Sequence, residues 1–265
     1  MHFNFVNIGD NHPLISRLWQ MSIPSEYTPY STPLLSTGET FIAYNFTDIA
    51  NEFIKNDEVF KMKGLMISGQ IYGAIQANYK HSSYDLGIIF KPTAFYKLFG
   101  VDMTLLTNKI LPLEKFNNDL FENLQLLFTE NQFNANKFKT AVLNYFNQKT
   151  INEDKNTILI DEVINLIKAK EGLVCINEII EKTDMSQKNL EIHFKKIIGL
   201  TPGKYIRQFR FISLIRKYQN QNIDIKDLVK EFKFYDTSHF NREFKLFTGQ
   251  TPKIFFGKDY PLFYS

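Results

Sequence analysis

The sequence predicts two domains of different fold class. The first is an α+β N-terminal domain, mostly antiparallel β with a barrel- or sandwich-like form, followed by helices. The second is an all-α C-terminal domain. The spacing of apolar residues changes from a period of about two to about 3.6 after residue 113. The charge balance changes sign within a polar run at 147–156, which is the best linker candidate. We therefore expect domains at 1–150 and 151–265.

The charge of the chain is unevenly distributed between the two parts. Residues 1–154 carry 12 Lys and Arg against 15 Asp and Glu, whereas residues 155–265 carry 19 against 13. A basic excess confined to the second part suggests a polyanionic partner for that part alone. No apolar run approaches the length of a membrane span, and the N-terminus lacks the pattern of a signal peptide. We expect a cytoplasmic protein with no membrane partner.

The N-terminal part contains short β-rich runs separated by turn residues. They lie at 14–23, 40–46, 61–68, 73–79 and 84–90. Residues 31–33 are expected to form a loop. Pro92 fits the first turn of a short helix at 93–99 that Gly100 ends. The single cysteine, Cys175, lies in an apolar run, so we expect a buried thiol and no disulfide.

No catalytic or metal-ligating constellation is evident in the N-terminal part. Its histidines lack paired ligand spacing, and no phosphate-cradling glycine loop occurs. We therefore expect no cofactor, no metal site and no enzyme. Aromatic side chains dominate small-molecule sites, so a set of them could line an effector pocket, although a half-buried sheet is the better explanation for any one of them. The candidates are Trp19, Tyr72, Tyr79 and Tyr84.

Helical periodicity begins after residue 113 and continues to the C-terminus. The first helix is expected over 116–128, and Asn134 is placed to cap the second. Further helices are expected at 158–170, 177–182, 187–198, 202–218 and 224–232, with a last one after Asp236. Ser186 is placed to cap the helix at 187–198 and Gly199 to end it.

An internal repeat divides the C-terminal part into two copies of one helical module. Phe194-Lys195, Gly199 and Thr201-Pro202 recur fifty residues later as Phe244-Lys245, Gly249 and Thr251-Pro252. In each copy a short helix, a turn and a second helix with a polar leading edge make a helix-turn-helix pattern. A long helix from Pro202 joins the copies.

The second copy also carries a specific motif, F-x-R-x-F-K-x-x-x-G-x-T-P, from Phe240 to Pro252. With it, residues 157–256 resemble the DNA-binding domain of AraC/XylS-type bacterial transcription regulators. The N-terminal part more faintly resembles a poorly characterised domain found before such domains. The resemblance implies double-stranded DNA as partner, and RNA polymerase if the protein is an activator. Whether the N-terminal domain binds a small-molecule effector, forms a homodimer or contacts a protein partner is left open, as is a fused enzyme domain.

The resemblance also indicates which side chains face DNA, because polar residues at the start of a recognition helix meet base edges and flanking Lys and Arg meet phosphates. In the second module these are Thr237, Ser238, Asn241, Arg242 and Lys245. In the first module they are Gln187, Lys188, Glu191, Ile192 and Lys195. Lys233 stands where the family usually has a glycine, with Asp184 as its counterpart. A positive φ there would strain the lysine by about 1 kcal/mol.

Overall fold

The computed structural model describes residues 1–8, 12–220 and 224–257. An antiparallel β-rich N-terminal part is followed by a helical C-terminal part. The strands are β1 (His2–Val6), β2 (Ile15–Ile23), β3 (Tyr30–Leu34), β4 (Thr40–Asn45), β5 (Asn51–Lys55), β6 (Glu58–Met62), β7 (Gly64–Ser68), β8 (Ile75–Tyr79), β9 (Ser83–Phe90) and β10 (Ile110–Pro112). The helices are α1 (Ala94–Phe99), α2 (Leu113–Phe116), α3 (Asn118–Asn131), α4 (Ala135–Asn147), α5 (Lys155–Ala169), α6 (Ile176–Thr183), α7 (Gln187–Ile198), α8 (Pro202–Asn220), α9 (Ile225–Glu231), α10 (Thr237–Thr248) and α11 (Pro252–Phe256).

The strands form two antiparallel sheets that pack as a sandwich. The larger sheet has the order β1-β2-β9-β4-β7-β10 and the smaller has the order β3-β8-β5-β6. Apolar side chains from both sheets, including Met21, Phe53 and Tyr79, form the core between them. The other face of the larger sheet is covered by α1 to α4, whose Phe128 and Phe138 are fully buried. The predicted α+β fold class is confirmed.

Two expectations about the strands were wrong. The run at 61–68 is not one strand but the end of β6 and all of β7, which lie in different sheets. The chain crosses between the sheets at Gly64, whose φ of 66° favours glycine. Residues 31–33, expected as a loop, lie in β3. Pro33 is tolerated there because β3 is an edge strand and the missing N–H breaks no ladder.

The helices differ from the expected ones mainly at their ends. The helix expected over 116–128 is divided at Asn117, which is extended and whose side chain caps α3 by accepting from the Leu120 amide at 2.9 Å. Asn134 caps α4 as expected. Helix α5 begins at Lys155, three residues before its expected start, because Asp154 and Thr157 form a reciprocal capping box. Cys175 is exposed rather than buried, because it precedes α6 as its N-cap residue.

The repeated modules have matching helices and caps. The side chains of Ser186 and Asp236 accept from backbone amides in the first turns of α7 and α10. Asp184 and Lys233 occupy equivalent turns and both have positive φ, 52° and 54°. Helix α8 contributes Tyr205 to the core of the first module and Phe211 to that of the second. One helix therefore belongs to both modules and sets their relative orientation.

The segment between α4 and α5, expected as a linker, is attached to the N-terminal part. The amide of Asn152 donates to the Lys97 carbonyl at 2.9 Å. The buried Lys97 ammonium contacts Asp161 of α5 at 2.7 Å and also Glu153. Thr93 donates to the same Asp161 carboxylate at 2.7 Å. These bonds join α1 to α5.

The N-terminal part also contacts both recognition modules. The Thr107 hydroxyl donates to the carbonyl of Gly199, at the end of α7, at 2.7 Å. The Ala74 amide donates to the Leu246 carbonyl of α10 at 2.8 Å. Tyr72 packs edge-on against Phe247, with ring centroids 5.4 Å apart. Across the described ranges, we find no helix that is both long and apolar enough to span a membrane.

Candidate nucleic-acid interface and inter-domain cavity

Helix α10 has one exposed polar face and one buried aromatic face. The side chain of Asp236 accepts from the His239 amide at 2.6 Å and so fixes the start of the helix. Phe240, Phe244 and Phe247 are buried. The five residues expected at DNA are all exposed: Thr237, Ser238, Asn241, Arg242 and Lys245. The spacing of the aromatic residues leaves this polar set on the outer surface.

Helix α7 presents an equivalent but chemically different face. Its expected DNA contacts are likewise exposed: Gln187, Lys188, Glu191, Ile192 and Lys195. The Gln187 amide donates to the Glu191 carboxylate at 3.0 Å, one helical turn away. Ile192 is 51% exposed and so places an aliphatic side chain on the outer face of α7.

A buried carboxylate connects α10 to α8. Glu243 has no exposed surface and pairs with the guanidinium of Arg207 on α8. The nearest Arg210 nitrogen lies 3.8 Å from the second Glu243 oxygen, and the imidazole of His239 lies 3.9 Å from the first. Sequence reasoning missed this group. The sequence feature that indicates it is a glutamate within the aromatic stripe of α10, because a buried charge needs a partner.

A cavity of about 550 Å³ lies inside the β-sandwich and extends to α8. The β-strands provide most of its wall, including Trp19 and Tyr79, and α8 provides Ile212, Ile215 and Arg216. The cavity is therefore bordered both by the N-terminal part and by the helix shared by the two modules.

The four aromatic candidates are not brought together. Trp19 and Tyr79 line the cavity. Tyr72 lies against α10 instead, and the Tyr84 hydroxyl donates to the carbonyl of Gln132 on the helical side of the larger sheet. Successive residues in a strand face opposite sides, so Tyr84 points away from the cavity that its neighbour Asp85 lines. Nothing in the sequence specified this register.

The register of β2 against β9 shapes the cavity wall. Arg17 lies opposite Ile89, Trp19 opposite Gly87, and Met21 opposite Asp85. A Cβ atom at Gly87 would lie 2.1 Å from Cε2 of Trp19, which is far inside van der Waals contact. Only glycine therefore allows the Trp19 ring to lie across β9.

One end of the cavity carries two arginines. The Arg17 guanidinium pairs with Glu39 at 2.6 Å, and the Ser16 and Thr37 hydroxyls donate to the same carboxylate. Arg216 is exposed and has no ion-pair partner within the described part of the chain. Surrounding protein atoms, and then the Arg17 charge, lower the pKa of the Arg216 guanidinium, while Glu39 opposes this shift. Arg216 is thus available to bind an anion.

The other end carries a buried carboxyl group. Asp85 is 6% exposed and accepts from Asn45 at one oxygen and from Ser83 at the other, both at 2.6 Å. Burial raises its pKa to about 6, against the lowering effect of these hydrogen bonds. The residues that the structure describes contain no group of three or more His, Cys, Asp or Glu side chains placed to hold a metal ion.

Comparison with known protein families gives two matches along the chain. Residues 12–112 match a domain of unknown function (DUF6597), and residues 179–258 match a helix-turn-helix domain. The HTH-type transcriptional activator AarP of Providencia stuartii is 25% identical over 80 residues, or 30% of this chain and 59% of that protein. The chain thus spans about 59% of the length of this curated relative.

Solved structures with a similar fold extend over most of the chain. A 1.65 Å structure of ToxT from Vibrio cholerae matches with a TM-score of 0.52 at 11% identity, covering 90% of this chain and 96% of ToxT. A ToxT structure with bound unsaturated fatty acid matches with a TM-score of 0.51 at 11% identity, covering 93% and 96%. At these identities the similarity shows the fold. Residues 179–258 are a helix-turn-helix domain of the AraC type, and the chain as a whole has a fold similar to that of ToxT, with an antiparallel β-rich part followed by a helical part.

Proposed function

We propose that this protein is a one-component transcription regulator that binds a specific duplex DNA site with α7 and α10. The observation that carries this proposal is the exposed face of each helix, held by the repeated core behind it. Helix α8 has 19 residues and spans about 28 Å, close to the ~34 Å of one DNA turn. The two helices would then enter adjacent major-groove segments on one side of the duplex.

The two helices offer different chemistry to the bases. In α10, Arg242 suits a guanine edge and Asn241 an adenine edge, while Lys245 suits a phosphate. In α7, Glu191 would repel phosphate but can accept from a cytosine amino group, and Ile192 suits a thymine methyl group. We therefore propose that both modules read bases with different preferences. The name of AarP supports activation as the outcome of binding.

We further propose that the inter-domain cavity binds an apolar carboxylic acid as effector. Two observations support this: the cavity wall is rich in apolar side chains, and Arg216 lies at one end with no ion-pair partner among the described residues. A structure of ToxT, which has a similar fold, contains an unsaturated fatty acid. A carboxylate held by Arg17 and Arg216 would connect β2 to α8, and through α8 to both modules.

The DNA proposal is tested by fluorescence anisotropy with labelled genomic fragments and the full-length protein. We expect at least one fragment to be bound about 10³-fold more tightly than random duplex at the same salt concentration. The titration is repeated with dodecanoic acid present. Equal affinity for every fragment and for random duplex, with and without the acid, would show that the chain does not select a site.

A further inference from the structure

The two polar ends of the cavity lie on one face of the larger sheet. Arg17 and Met21 are four residues apart on β2, and Met21 is opposite Asp85 on β9. Four residues of extended chain measure about 13 Å, so the Cα atoms of Arg17 and Met21 are about this far apart along the cavity wall. Arg216 is exposed, whereas Asp85 is 6% exposed, so the carboxyl group is at the deeper end.

The wall between the two ends is apolar. Trp19, Phe41, Ala43 and Ile89 form it, all on the sheet face that lines the cavity. Ala43 is paired with Gly87, and the Trp19 ring lies over this glycine, so the wall at mid-length consists of the indole ring and the small Ala43 side chain. Since this stretch offers no charged group, polar atoms of a ligand belong at its ends.

The deeper end can accept a hydrogen bond but has few hydrogen-bond donors for an anion. Asp85 forms no ion pair with a cation within the described ranges, and each oxygen accepts one hydrogen bond from a neutral donor. An ionised carboxyl group has about four acceptor positions, so capacity remains. The Asn51 side-chain amide uses one N–H to donate to Ser83 at 2.9 Å, so it offers at most one further neutral donor at this end. A ligand carboxylate would be repelled from this end and accepted at the arginine end.

We propose that the cavity selects a bifunctional ligand: a carboxylate bound by Arg17 and Arg216, an apolar chain of about 13 Å, and a hydroxyl group that donates to Asp85. This rests on the proposed function of the cavity as an effector site and narrows the class of effector. A plain fatty acid of the same length leaves the buried Asp85 carboxyl facing apolar carbon, which costs binding free energy.

Trp19 provides a direct measurement, because it is the only tryptophan of the chain and lies in the cavity wall. The full-length protein is titrated with dodecanoic acid, with its ω-hydroxy derivative and with a mid-chain hydroxy isomer while Trp19 emission is recorded. We expect the ω-hydroxy acid to bind about tenfold more tightly than dodecanoic acid, as a hydrogen bond to a charged group allows. The mid-chain isomer should bind less tightly than both, because its hydroxyl would face apolar wall.

Asp85→Ala should abolish the preference for the ω-hydroxy acid and strengthen binding of dodecanoic acid, because no buried carboxyl group then faces its apolar end. Asp48→Ala, which removes an exposed carboxylate, is the matched control and should keep the preference. If wild-type protein binds dodecanoic acid and its ω-hydroxy derivative equally, the proposal of a bifunctional ligand is wrong, but the proposal of an effector site is not. If it binds neither, the effector site itself is wrong. A preference for the mid-chain isomer also overturns the inference, and this comparison does not depend on any variant folding.

Discussion

Arg242 and Lys245 lie one helical turn apart on the exposed face of α10 and have different expected roles. Arg242→Ala should weaken binding to the preferred site by about 1–3 kcal/mol and relax sequence preference, because a bidentate contact to guanine is lost. Lys245→Ala should weaken binding to all duplexes. It should also reduce the salt slope, which is the slope of the logarithm of the binding constant against the logarithm of the salt concentration, by about one in magnitude. Competition titrations at several salt concentrations separate the two effects.

Lys137→Ala is the control for both, because it removes an exposed positive charge on α4, in the N-terminal part. It should leave affinity and salt slope unchanged. Equal losses on preferred and random duplexes for Arg242→Ala would assign this residue to a phosphate instead.

Asp85 is expected to make stability depend on pH. Burial raises its pKa from 3.8 to about 6, so between these values the folded protein keeps a proton that the unfolded chain has lost. The contribution of the protonated Asp85 to the free energy of unfolding is fully present below about pH 4 and is lost as the pH rises through about 6. At 1.36 kcal/mol per unit, the loss amounts to at most about 3 kcal/mol.

The variant Asp85→Asn, which cannot ionise, should therefore be more stable than wild type near neutral pH and show no such gain near pH 4. Urea unfolding at a series of pH values measures this difference. Asp48→Asn, at an exposed aspartate, should follow wild type throughout. A gain in Asp85→Asn that is the same at both pH values would contradict the assigned pKa.

At the scale of elements, the turn before α10 carries a measurable strain. Lys233 has φ of 54°, which is costly for a residue with a Cβ atom. Lys233→Gly should be more stable than Lys233→Ala by about 1 kcal/mol, because only glycine relieves this strain. Thermal unfolding of the two variants compares them without a change in charge. A more stable alanine variant would mean that the turn is not strained.

The contact between α8 and α10 depends on the buried Glu243 carboxylate. Arg207→Met keeps an aliphatic stem but removes the close partner of Glu243. We expect a loss of about 2 kcal/mol, less than the ~3–5 typical of a broken buried pair, because Arg210 remains nearby. Lys217→Met breaks the more exposed pair with Glu231 on α9 and should cost clearly less stability than Arg207→Met. Equal losses in urea unfolding would show that burial of Glu243 is unimportant.

At the scale of the whole molecule, sequence patterns predicted the helices better than the cavity. Caps and helical periods are local, so Ser186, Asp236 and the repeat could be recognised directly. The cavity depends on the register of β2 and β9 and on the packing of α8, which join residues far apart in sequence. Trp19 and Tyr79 were expected in a pocket for their aromatic character, whereas Asp85 and Arg216 had no local signal.

The contacts between the two parts suggest how an effector could influence DNA binding. The N-terminal part donates hydrogen bonds to carbonyls at the end of α7 and in α10, and α8 forms one wall of the cavity. A ligand that moved α8 relative to the sandwich would therefore move both modules together and change these hydrogen bonds. Contacts of this kind were beyond sequence reasoning, which treated 147–156 as a simple linker.

Whether α7 and α10 read two DNA segments is measured by selecting duplex sites from a random library with the full-length protein. We expect the recovered duplexes to share two short segments about one helical turn, or ~10.5 base pairs, apart. Mutation of either segment should weaken binding by about 1–3 kcal/mol per base pair. Recovery of duplexes with no shared segment, bound no more tightly than the starting library, would contradict this expectation.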